Sequence, residues 1–206
     1  MLVLMLTAPW NLILTVVFAF TGVYCLVRLI THRSPAGKAR GLMLESTAIH
    51  VMHLVMSVGM IAMCWFMMIP TVLNWAQVVI FTVLALALAP GLWKSPLPTR
   101  RVDLAGHIWL AAAMVWMIAA MPLLMADMGG GDHSGTHGDA AEGTLMMVSS
   151  TPLWVDVVNG AFVAGSAAFA LWWAIRAATV RGDRLHALCH CLMAAGMAAM
   201  LLLMNG

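Results

Sequence analysis

Charge is what this sequence has least of. Only 9% of its 206 residues are Asp, Glu, Lys or Arg, where a soluble domain carries about a quarter. So few charges cannot cover a water-facing surface, which excludes a soluble globular protein. Disorder is excluded too, because 63% of the residues are hydrophobic and disorder needs low hydrophobicity. A net charge of +2 is no electrostatic footprint for nucleic acid. Cysteine is scarce: Cys25, Cys64, Cys189 and Cys191 sit in apolar surroundings and make no disulfide scaffold. Cys25 and Cys64 read as packing. There is no Gly-rich phosphate loop and no Ser–His–Asp set. His50 and His53 lack the Glu and the spacing of a metalloprotease helix. No charged catalytic pair is expected within the spans, so the chain does not read as an enzyme.

Long apolar runs are what the sequence has. Six are bounded by charge, Pro or Gly, near 9–30, 43–69, 72–93, 104–128, 152–177 and 185–204. A bilayer-spanning helix needs about 20 apolar residues. The expected fold is an all-α integral membrane bundle of six transmembrane helices, one domain over 1–206. The first run has no preceding positive charge and no small-residue cleavage site, so it reads as a retained helix and not a secretory signal. All ten Lys and Arg fall in 28–40, 94–101 and 176–184, after the first, third and fifth spans. Basic loops stay in the cytoplasm. This predicts three out–in–out hairpins in the plasma membrane, with both termini and the 129–151 loop outside. Trp10, Trp75 and Trp154 then mark the outer boundary, where aromatic belts form. Pro122, inside the fourth span, is placed to free a backbone carbonyl.

The outer loop is rich in Gly and carries His133 and His137 between Asp132 and Asp139. Its acidity attracts cations rather than anions, and the two histidines are candidate metal ligands.

Methionine is abundant and unevenly placed. Sixteen of the twenty lie in the second, fourth and sixth spans, and none lies in the core of the odd spans. Methionine ordinarily fills irregular gaps in a core, but packing alone does not predict that segregation. The spacing is regular as well. His53, Met56, Met60, Met63 and Met67 step by 3, 4, 3 and 4, and so do His190, Met193, Met197, Met200 and Met204. Each set forms one stripe of an α-helix. The fourth span carries His107, Met114, Met117, Met121, Met125 and Met128, mostly on one face. Each even span therefore has an imidazole near its cytoplasmic end and thioethers rising outward. Histidine within a span is costly and marks function, which makes His53, His107 and His190 candidate ligands. His186 reads as interfacial. Glu45 and Asp103 read as first-turn acids favoured by the helix dipole.

The whole chain resembles a family of actinobacterial integral membrane proteins catalogued as a domain of unknown function. The likeness rests on length, six spans, the H-x2-M-x3-M elements and the His/Gly loop. A second resemblance is local: Met56-x3-Met60, Met121-x3-Met125 and Met193-x3-Met197 are similar to the M-x3-M element of eukaryotic high-affinity copper transporters. That likeness implies a Met-lined path with His and Cys donors towards the cytoplasm. Here three such helices would come from one chain, and the G-x3-G packing motif is missing.

Thioethers prefer Cu(I), so the expected function is Cu(I) handling or transport through a Met/His-lined bundle. Two alternatives stand beside it. One is a b-type haem protein with His53 and His190 as axial ligands and Gly59 and Gly196 making room. The other is an accessory subunit of a larger, respiratory membrane complex, its Met faces packing against other subunits.

Overall fold

The computed structural model describes residues 9–31, 40–65, 71–124, 152–180, 182 and 184–203. They form six helices: α1 (Trp10–Thr31), α2 (Arg40–Trp65), α3 (Thr71–Lys94), α4 (Pro98–Leu124), α5 (Leu153–Thr179) and α6 (Arg184–Leu203). All six are long and apolar enough to cross a membrane, so the chain has the form of a multi-pass membrane protein.

The helix bounds differ most from expectation at α4, which begins at Pro98 and not near 104. Proline suits the first turn of a helix, where its missing N–H is not needed. The extra turn is tied back to the α3–α4 connection, where Arg101 Nε donates to the Ser95 carbonyl at 2.7 Å. Charged residues at 100, 101 and 103 therefore belong to a helix and not to a loop. The sequence reading also passed over Pro90, which lies inside the continuous helix α3.

Successive helices pack as hairpins, α1 on α2, α3 on α4 and α5 on α6. Contacts of α2 with α3, α4 with α5 and α1 with α6 close the ring, and α4 also meets α2 and α6. The spans are not equally enclosed. In α2, α4 and α6 the buried share is 44%, 56% and 56%, against 28%, 17% and 22% in α1, α3 and α5. The even helices are the inner set. Each odd helix buries one narrow stripe: in α1 it is Asn11, Leu14, Phe18, Thr21, Gly22 and Cys25. Its remaining faces present residues such as Val16, Phe20 and Val23, as a lipid-facing surface requires.

Between helices in lipid no water is released, so association depends on close van der Waals contact and on polar links. Both are present. A Cβ on Gly196 would stand 2.7 Å from the Phe18 ring, so α6 and α1 meet closely there. The Thr21 and Ser57 hydroxyls lie 3.3 Å apart between α1 and α2. Asn159 Nδ2 donates to the Leu201 carbonyl at 3.0 Å, joining α5 to α6.

The resulting core is rich in sulfur. Met52, Met56 and Met60 of α2, Met114 and Met117 of α4, and Met193 and Met197 of α6 are all fully buried in one continuous cluster.

Candidate metal centre

Helical spacing places the imidazoles. His53, His107 and His190 lie on the inward faces of α2, α4 and α6 and are 1%, 2% and 4% exposed. Their ring centres are 5.1 Å apart for His53–His107, 4.5 Å for His53–His190 and 4.7 Å for His107–His190. One ring nitrogen from each lies within 4.8 Å of the others. Two nitrogens on a tetrahedral ion, each at about 2.1 Å, stand roughly 3.4 Å apart. The triad therefore needs a closure of up to about 1.4 Å, which side-chain torsions supply. His53 and His190 are stacked at 17°, so one of the two rings turns in that closure.

Hydrogen bonds set the tautomers. His107 Nδ1 lies 2.5 Å from the Asp103 carbonyl oxygen. A carbonyl only accepts, so Nδ1 carries the proton and Nε2 of the neutral ring keeps its lone pair. That Nε2 is buried without a hydrogen-bond partner. His190 Nε2 is 3.2 Å from His186 Nε2, and its Nδ1 is buried and unpartnered. His53 Nε2 is likewise buried and unpartnered. Buried polar atoms are normally satisfied. Three converging imidazoles, each with one buried unpartnered nitrogen and two of them with the other nitrogen engaged, match how metal-binding histidines are held.

Asp103 organises the surroundings. Its Oδ1 accepts from Trp172 Nε1 at 3.0 Å and from Trp173 Nε1 at 3.2 Å, and its carboxylate pairs with Arg176. Trp173 is thereby set edge-on to His107 and His190, with ring centres 5.2 and 5.4 Å away. A Cβ on Gly106 would lie 2.8 Å from the Trp173 ring, so glycine at that point of α4 is what admits the indole.

A cavity of about 310 Å³ reaches the triad from the basic-loop end, bordered by Glu45, Arg100, Asp103 and Arg176 and walled by His50, His107, His186 and His190. Glu45 pairs with Arg100. This corrects the expectation that Glu45 and Asp103 are first-turn acids. Glu45 and Asp103 lie beyond the first turns of α2 and α4, and both are ion-pair partners of arginines on neighbouring helices. Arg100 and Arg176 read in sequence only as topology signals. Helices that start or end at the same face bring such charges together, and that was the available clue.

Of the predicted site residues, the structure brings together His53, His107 and His190. On the far side of them from the cavity mouth it gathers Met56, Met60, Met63, Met117, Met193, Met197 and Met200 in the common core. Met121 is part-buried. Met125, His133 and His137 lie outside the described residues. Cys189 is buried and Cys191 half-buried, and no cysteine joins a donor group among the described residues. His50 and His186 were not singled out as ligands, yet both face the cavity.

A family model described as a domain of unknown function, DUF5134, matches residues 45–204. The chain belongs to that family. The matched region runs from α2 to α6 and so contains all three imidazoles. No curated protein and no solved structure matches the chain.

Proposed function

We propose that this DUF5134 protein binds Cu(I) inside the membrane and moves it between a sulfur-lined interior and a three-imidazole station. The observation that carries the reading is the convergence of His53, His107 and His190 from the three inner helices, with an unpartnered buried nitrogen on each. The sulfur core supports it. Met56 and Met193 follow His53 and His190 by three residues, about 4.5 Å along the axis. Imidazole and thioether together favour Cu(I) over harder cations. Successive weak sites allow an ion to enter and leave, where one tight cage would hold it. With the basic loops in the cytoplasm, the station and its cavity lie towards the cytoplasmic face.

A haem is a poorer occupant. Axial imidazoles approach iron edge-first from opposite sides of a porphyrin, whereas His53 and His190 stack 4.5 Å apart. Gly196, which was to make room, is filled against by Phe18.

The test is competition for Cu(I) between detergent-purified protein and a chromogenic chelator. Wild type should hold copper. A His53→Ala/His107→Ala variant should lose the station, and a Met56→Leu/Met60→Leu/Met193→Leu/Met197→Leu variant should lose the further copper. Equal copper in wild type and both variants overturns the reading.

A further inference from the structure

Two more imidazoles stand between the triad and the cavity mouth. His50 Nδ1 lies 2.6 Å from the Ser46 carbonyl oxygen, so it carries the proton and Nε2 keeps its lone pair. That Nε2 is buried without a partner, and His50 is 9% exposed. The His186 ring lies across from it on α6, with centres 5.7 Å apart. Two imidazoles bound to one ion at about 2.1 Å, with ring centres roughly 1 Å further out, stand about 5 Å apart at tetrahedral angles. His186 also touches the triad through its 3.2 Å contact with His190. Both rings line the cavity, so an ion between them remains in reach of water.

We propose that His50 and His186 form a second metal station, with two imidazole donors and water completing the coordination of Cu(I) or another cation that accepts imidazole. It rests on the reading of His53, His107 and His190 as a metal site. The pair takes the ion from the triad by way of His190 and presents it to the cavity. Its donors are fewer and wetter, so it binds more weakly than the triad and releases more readily. Such a step lets an ion leave a buried three-nitrogen site without all three bonds breaking at once.

Zn(II) is the suitable probe, because imidazole is among its ordinary ligands and thioether is not. It counts the nitrogen stations without the sulfur core. The full-length chain is prepared without a polyhistidine tag and with His133→Gln/His137→Gln, which removes the loop histidines. This protein should bind two Zn(II) per chain. His50→Gln/His186→Gln should bind one, and His53→Gln/His107→Gln should also bind one. Each variant is checked for helicity and monodispersity, and His50→Gln alone is read in the same way if the pair variant does not fold. One Zn(II) in the parent, kept in the pair variant and lost in the triad variant, overturns the second station and leaves the triad standing. So does retention of both ions in the pair variant. One Zn(II) lost only in the pair variant overturns the triad and leaves the pair as the site. No binding at all overturns both.

Discussion

The two halves of this protein's interior are enclosed by the same three helices and built from different chemistry. At the basic-loop end, α2, α4 and α6 contribute imidazoles, carboxylates and the Arg100 guanidinium, and α5 adds Arg176 and Trp173, around a cavity of about 310 Å³. Beyond His53 and His190, α2, α4 and α6 contribute thioethers that are fully buried. The nitrogen half is held by directional bonds, and Asp103 alone takes two indoles and a guanidinium. The sulfur half is held by packing, in which Met adapts its shape to irregular gaps. A protein that needed only a stable bundle gains nothing from this division. One that handles a soft cation gains a pH-sensitive end and a pH-insensitive one.

The largest expected effect removes one nitrogen donor. His107→Ala should lower metal affinity at the triad by about 100-fold or more, beyond the 10–100-fold that loss of a mere supporting contact costs. Binding to the sulfur half should stay. Titration of the variant with Zn(II) and with Cu(I) separates the two halves, and equal losses for both metals would erase the distinction between them.

Next is the scaffold of the nitrogen half. Asp103→Ala leaves the Arg176 guanidinium and two indole N–H groups without their acceptor, which should cost about 2–3 kcal/mol of stability. Thermal unfolding in detergent measures it. Affinity at the triad should also fall by about tenfold, since Trp173, which abuts His107 and His190, loses its setting while the bond from His107 to the Asp103 backbone carbonyl stays. A variant as stable as wild type would show that the Asp103 contacts are incidental to the fold.

A smaller effect comes from pH. Imidazole binds metal only when neutral, so a fall in pH adds competing protons and weakens the triad, by about tenfold per pH unit for each proton displaced. Thioethers carry no proton to lose. Cu(I) affinity of a His53→Ala/His107→Ala variant, which keeps the thioethers but fewer imidazoles, should therefore fall less steeply with falling pH than that of wild type. A parallel decline in both would place protonation elsewhere.

Much of this contrast was already legible from residue order. Six apolar runs and the confinement of Lys and Arg to three loops predicted the helices. Methionine confined to alternate spans predicted which helices lie inside. A three–four spacing shows which face a side chain occupies, and one face of a membrane helix has one use. The Asp103–Trp172–Trp173–Arg176 cluster was not legible, because its members lie 69 to 73 residues from Asp103 and meet only when α4 and α5 pack. Glu45 and Arg100, 55 residues apart, escaped for the same reason. A charge at a helix end has an adequate local explanation in the dipole, and that explanation hid the partner. Glycine misled in the opposite direction. Gly196 suggested room for a ligand, and the packed helices use it for contact with Phe18.

The smallest effect is the most informative about the sulfur half. Leucine replaces methionine at nearly constant volume, so Met56→Leu, Met60→Leu, Met193→Leu and Met197→Leu should each cost less than about 1.5 kcal/mol. The four together should still give a folded, helical, monodisperse protein. Zn(II) binding should be unchanged, because the nitrogen donors are untouched and thioether is not among the ordinary ligands of zinc. Cu(I) beyond what the imidazoles hold should disappear. Stability, zinc and copper thus respond differently to one set of changes. If packing were all these side chains do, copper would follow zinc and remain. If the quadruple variant instead unfolds, the sulfur half depends on the shape of methionine, and the contrast between a directional half and an adaptable one is wrong where it was drawn.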